Sequence, residues 1–137
     1  MRHSEHTPGP SGELALQIVP MPKDTNANGD IHAGWLVGQM DLAAAATAGR
    51  LSQGRTATVA IEGMEFISPV RVGAQVGCYT KLVDVGRSSI KLTVEVWTQD
   101  LDEHQPRKVT QSTFVFVAID EDGCIRQLPD EVLHPQQ

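Results

Sequence analysis

A chain of 137 residues has the size of one domain and is too short for two of ordinary length. With 40% apolar and 20% charged residues it has the make-up of a packed core, and its net charge of −6 argues against a general nucleic-acid binder, which carries a basic excess. There is no apolar run long enough to span a membrane, no secretory pattern at the start, and no zinc or disulfide spacing around Cys78 and Cys124, so a reduced, soluble, cytoplasmic protein is expected.

Residues 1–12 are polar and rich in Pro, Gly and His, which predicts a flexible tail ahead of a single domain over 13–137. Leu14–Val19 reads as a first strand, stopped by Pro20 and Pro22. The stretch DTNANGDIHAG, Asp24 to Gly34, is made of turn formers. From Trp35 to Gly49 the composition turns to Ala, Leu and Met, which predicts a helix, apolar on most faces and therefore buried. Gly49 is a natural stop, and Arg50 suits the negative end of the helix dipole.

The rest reads as strands. Arg55–Phe66 is rich in Thr, Val and Ile and breaks at Ser68-Pro69. Alternation runs through Val72–Leu82 and again through Ser89–Trp97, while Phe114–Ile119 is apolar on both faces and belongs inside a sheet. Turns fall at Val85-Gly86-Arg87, Asp100–Arg107 and Asp122-Gly123. The order of one strand, a buried helix and four strands implies an α+β fold with one helix against a largely antiparallel sheet. About five strands around one helix leave apolar surface uncovered, and a second copy of the chain is expected to cover it.

Charge is unevenly placed. Residues 50–91 carry six basic side chains (Arg50, Arg55, Arg71, Lys81, Arg87, Lys91) against three acidic ones (Glu62, Glu65, Asp84), a net of +3 in an acidic protein. Such a segment suits an anionic small molecule, although solvated faces alone also produce such clusters.

The densest chemistry lies in Asn26, Asn28, Gly29, Asp30, Ile31, His32, Ala33 and Gly34, directly ahead of the helix. A helix start exposes unpaired N–H groups, and small residues let an oxygen approach them. Asp30 beside them suits a general base or a nucleophile, and His32 suits orientation of water or substrate. The plainer reading is an Asx turn with an N-cap. Asp41 is the one charge inside the apolar helix, so it faces either the site or a cationic partner. Gly86-Arg87-Ser88-Ser89 offers a guanidinium and two hydroxyls to phosphate oxygens. Nothing marks a dinucleotide fingerprint, a serine-hydrolase elbow or a metal site.

TNANGDIHAGW (Thr25–Trp35), QMD (Gln39–Asp41), TVAIEGMEFISPVRVG (Thr58–Gly73), VGRSSIKLTVEVW (Val85–Trp97) and TFVFVAID (Thr113–Asp120) together resemble YciA-type acyl-CoA thioesterases of the hotdog fold. That resemblance spans roughly residues 14–130. It implies a long helix wrapped by a curved antiparallel sheet, pairing of two protomers edge to edge, and assembly of dimers into a hexamer or a tetramer. It implies hydrolysis of acyl-CoA to a free acid and coenzyme A, with no cofactor besides that substrate; the charge, the apolar runs and the scattered histidines separately lead to no nucleic acid, no membrane and no metal being expected. The essential acid falls on Asp30, with the thioester carbonyl against the amides of Ala33 and Gly34. His32 stands where relatives carry an aromatic residue, and Ala33 where they carry glycine. Asn28, Asp41, Arg71 and Gly86–Ser89 are the residues expected to hold substrate and coenzyme A, from either protomer. A dehydratase or hydratase of the same fold, and an acyl-CoA-binding domain without turnover, are the alternative readings.

Overall fold

The computed structural model describes residues 9–135. Five strands and a long helix follow one another as β1 (Glu13–Ile18), α1 (Ala33–Ser52), β2 (Thr56–Glu62), β3 (Gln75–Val85), β4 (Ser89–Gln99) and β5 (Arg107–Ala118), with a short α2 (Asp130–Leu133) at the end. The sheet order is β1-β3-β4-β5-β2, and every pairing is antiparallel. The expected α+β hotdog plan is present.

Packing of α1 on one face of the sheet makes the core. Leu36, Met40, Ala43, Ala44 and Ala48 on the helix meet Val76, Cys78, Ile90, Leu92, Val94, Phe114 and Phe116 on the strands. Alanine at three of these helix positions lets α1 lie close to the sheet, so larger side chains there belong to the strands. The rings of Phe114 and Phe116 lie 6.4 Å apart and nearly parallel, and their full burial is worth about 1.5–3 kcal/mol each. One buried polar pair sits between helix and sheet, where the Thr47 and Thr80 hydroxyls bond at 2.8 Å. Burial pushes the Cys78 thiol up to about 12, which makes it a packing residue and not a nucleophile.

Several boundaries differ from expectation. Residues 1–8 of the predicted tail lie outside the described residues, while Ser11 is held, its N–H donating to Glu95 at 3.2 Å. Helix α1 runs past Gly49 to Ser52 and turns at Gln53, whose φ is 57°. There the N–H groups of Gln53 and Gly54 return to the carbonyls of Arg50 and Gly49, a Schellman-type stop in which glutamine takes the left-handed conformation usually left to glycine. The second strand ends at Glu62 and not at Phe66. Beyond it the chain lifts off β5, and hydroxyls replace the ladder: Ser112 donates to the Glu62 carbonyl and Thr110 to that of Glu65. The last strand is interior, as expected, although β4 is the middle strand.

The helix is buried on one side only. Leu42 is 58% exposed on α1, and Val59 and Ile61 on the edge strand β2 are 57% and 44% exposed. Asp41 accepts a hydrogen bond from Thr58 of β2 at 2.8 Å, which ties α1 to the edge strand that carries the rest of this exposed apolar surface. Free-standing in water, such a surface is costly, and it marks an interaction face.

Candidate active site

Between β1 and α1 the chain makes a short 3-10 turn at Pro22–Asp24 and then a small loop closed by a bridge between Thr25 and Ile31. Asn26 organises that loop. Its side-chain oxygen accepts the N–H of Asn28 at 2.8 Å and of Asp30 at 3.1 Å, and its own N–H donates to the Asp30 carbonyl at 2.7 Å. The peptide groups flanking Asp30 are therefore pinned on both sides while its side chain is left free. Asp30 is exposed, and among the described residues no hydrogen bond reaches its carboxylate. The Asx turn expected at this point exists, but Asn26 builds it, and neither Asn28 nor Asp30 does.

Asp24 locks the loop to the helix. Its carboxylate accepts the Met21 N–H at 2.9 Å and the Lys23 ammonium at 3.1 Å, and its main-chain carbonyl accepts the His32 N–H at 3.1 Å. The Met21 N–H first, and the Lys23 cation beside it, hold the Asp24 carboxyl below the ordinary carboxylate range. Sequence reasoning missed both Asp24 and Asn26 as site-builders. The signal was present, since Asp and Asn favour such local bonds, but four such residues within seven positions made the choice among them ambiguous.

Helix α1 then begins at Ala33, with His32 at the N-cap making no side-chain cap bond and no acid in the first turn. His32, Ala33 and Gly34 are exposed. Gly34 meets nothing within 4 Å where a side chain would stand. Among the described residues no acceptor takes the N–H of Ala33 or Gly34, and the positive end of the helix dipole stands behind them. A carboxylate beside such donors is the pairing needed to attack a carbonyl carbon while stabilising the oxygen that becomes negative.

The second predicted group sits elsewhere. Gly86–Ser89 is the turn between β3 and β4, closed by the Gly86 N–H on the Ser89 carbonyl at 2.8 Å. The Arg87 side chain is exposed and, among the described residues, pairs with no carboxylate. This turn lies at the far end of the molecule from Asp30. It is joined to the end of α1 through the C-terminal segment, where Leu128 N–H bonds the Arg87 carbonyl and Arg126 bonds Ser52. The 20 residues of α1 separate the two groups by about 30 Å. One chain therefore does not bring Asp30 and Arg87 together.

Two further predicted residues do not join either group directly. Asp41 faces Thr58 on the uncovered surface. Arg71 is at the Asp30 end, 3.8 Å from Asp100, beside an ion network in which Arg107 binds both Asp100 and Glu103. The Asp100 N–H, followed by the Arg107 guanidinium, holds Glu103 below its usual range. A groove of about 400 Å³ lies between the lifted segment and β5, lined by Gly63, Met64, Glu65, Ile67, Lys108 and Gln111 among others; Asp30 does not line it.

A family model described as "Thioesterase superfamily" matches residues 28–104, a span that starts at the Asp30 loop and includes the Gly86–Ser89 turn. The chain belongs to the thioesterase superfamily. Within this superfamily it is 46% identical over 123 residues to the acyl-CoA thioester hydrolase YciA of Salmonella typhimurium strain LT2, a match covering 88% of this chain and 92% of that one. Among solved structures, the hexameric thioesterase y2039 of Yersinia pestis superposes with a TM-score of 0.84 at 46% identity, covering 88% of this chain and 98% of the other. Cj0915 of Campylobacter jejuni, a hexameric hotdog fold thioesterase, superposes with a TM-score of 0.84 at 38% identity, covering 89% and 94%. The span matched by the family model contains every predicted site residue from Asn28 to Ser89.

Proposed function

We propose that the chain hydrolyses acyl-CoA to a free acid and coenzyme A, in a site assembled between two copies. The observation that carries this reading is the unbonded Asp30 carboxylate, with its peptide groups pinned by Asn26, beside an uncapped helix start. Its relatives' names supply the substrate: YciA is an acyl-CoA thioester hydrolase. Asp30 activates a water molecule, or attacks the thioester carbon itself. The amides around Ala33 and Gly34 hold the oxyanion. The thiolate departs without needing a strong acid, because a thiol is far more acidic than an alcohol.

Assembly solves the 30 Å problem. Strand β2 is a free edge beside exposed Val59, Ile61 and Leu42. Two copies pairing antiparallel along β2 are related by a two-fold axis. That axis reverses the direction of each molecule, so the Asp30 end of one lies toward the Arg87 end of the other. Arg87, Ser88 and Ser89 then serve the phosphates of a substrate whose thioester rests at the other protomer's Asp30. Both solved relatives described above are hexamers, and the same state, three such dimers, is proposed here.

The test is direct. Purified protein mixed with acyl-CoA and a thiol-reactive dye should release free thiol continuously, with the released acid matching the thiol. Binding without thiol release, or addition of water across a double bond with the thioester intact, would replace this reading.

A further inference from the structure

The turn that carries Arg87 is held from behind by one arginine acting at a distance. After β5 the chain reverses through Asp120–Cys124 and runs back as an extended strap, bridged at Ile119 and Ile125. The strap's Leu128 is buried, and its N–H donates to the Arg87 carbonyl at 2.9 Å, while the Ala118 N–H donates to the Ser88 carbonyl at 2.8 Å. In a trans peptide the C=O and N–H point in opposite directions. Pinning the Arg87 carbonyl onto the strap therefore turns the Ser88 N–H away from the protein interior, to the open side of the turn. Among the described residues that N–H has no backbone partner. A main-chain donor beside a guanidinium makes a concave anion seat.

Arg126 fixes the strap. Its guanidinium donates to the Ile119 carbonyl at 2.8 Å, the Ser52 carbonyl at 3.0 Å, the Ser52 hydroxyl at 3.1 Å and the Arg55 carbonyl at 3.1 Å. It thereby ties the end of α1, the start of β2 and the end of β5 to a residue two positions from Leu128. The planar fork meets four acceptors at once in fixed directions, one more than the three N–H groups of a lysine can. Gly54 leaves room for it, since a Cβ there would stand 2.6 Å from the guanidinium.

We propose that Arg126 is a positioning residue for phosphate recognition: by anchoring the strap it sets the Arg87–Ser88 peptide with its N–H outward, and so governs affinity for the phosphate-bearing part of the substrate. This rests on the reading of Arg87–Ser89 as the phosphate seat. The experiment compares an acyl-CoA with the matching acyl-pantetheine, which has the same thioester and no phosphate, for Arg126→Lys and for Gly54→Ala. The second variant displaces the guanidinium while leaving every charge in place. Expected for both is a KM for the CoA ester raised about tenfold, with kcat and the pantetheine KM within about twofold of the parent. Weaker inhibition by adenosine 3′,5′-bisphosphate should accompany it. Equal losses on both substrates would mean a general structural role and overturn the proposal, as would no loss on either. Arg87→Ala, measured alongside, separates the two failures. If it shows the CoA-selective loss and the Arg126 and Gly54 variants do not, the positioning role is wrong and the phosphate seat stands. If Arg87→Ala itself shows none, the seat is misplaced and the proposal falls with it.

Discussion

The two ends of α1 treat their free backbone groups in opposite ways. At its end, the carbonyls of Gly49, Arg50 and Ser52 accept bonds from Gly54, Gln53 and Arg126. At its start, His32 contributes no side-chain cap, and the residues that follow are small and exposed. A Ser, Asp or Asn cap at such a position stabilises a helix by typically about 1 kcal/mol, so leaving it out is a measurable sacrifice. The difference teaches where the chain keeps its donors for something other than itself. The closed end builds structure; in the proposed reading the open end, with Asp30 beside it, serves the substrate.

Substitutions at the two ends should therefore differ in kind. The largest effect is expected at the open end: Asp30→Asn or Asp30→Ala should lower kcat by at least about 10² with the thermal midpoint unchanged, as steady-state kinetics and calorimetry will show. A near-normal kcat in either variant removes Asp30 from the chemistry. At the turn beyond the closed end, Arg87→Ala should act on KM, raising it for CoA esters by about tenfold and leaving acyl-pantetheine esters nearly unaffected. Equal losses on both substrates would erase the division of labour.

The smallest effect concerns pH. Asp24 and Glu103 are both held below their ordinary values of 3.8 and 4.5. A carboxyl depressed in the folded state stabilises the fold above its unfolded value, and that contribution disappears as pH falls through the lower folded one. The thermal midpoint should thus decline on acidification below the ordinary carboxylate range. Asp24→Asn should start lower and decline less steeply, because its share is already absent; parallel acid limbs for parent and variant would show that the loop's clamp contributes nothing.

Much of this architecture was legible in the chain. The Ala-rich run gave α1, and period-two alternation gave β4, because burial on one face writes itself into the pattern of side chains; the run Phe114–Ile119, apolar on both faces, gave the interior place of β5. The end of α1 was not legible, since Gly49 looked like the stop while the turn depends on Gln53 adopting a conformation unusual for it. Nor was the end of β2: Met64 to Ile67 is as apolar as the strand before it, and only the hydroxyls of Thr110 and Ser112, some 45–50 residues on, decide that it lifts away. The acid and the turn were found as motifs, yet their separation across α1 is a property of topology, which no local pattern encodes. Asn26 was seen among the turn formers, but its role rests on which of several equivalent bonds the folded loop selects.

In the proposed dimer each site takes its carboxylate from one chain and its phosphate turn from another. Mixing an Asp30→Ala chain with an Arg87→Ala chain, then unfolding and refolding them together, tests it most directly. Random pairing places one unaltered site in every mixed dimer, so about a quarter of all sites should regain both the parental kcat and the parental KM for acyl-CoA, a combination that neither variant alone has. If the mixture shows only the average of the two separate variants, both groups act within one chain and no site is shared between protomers.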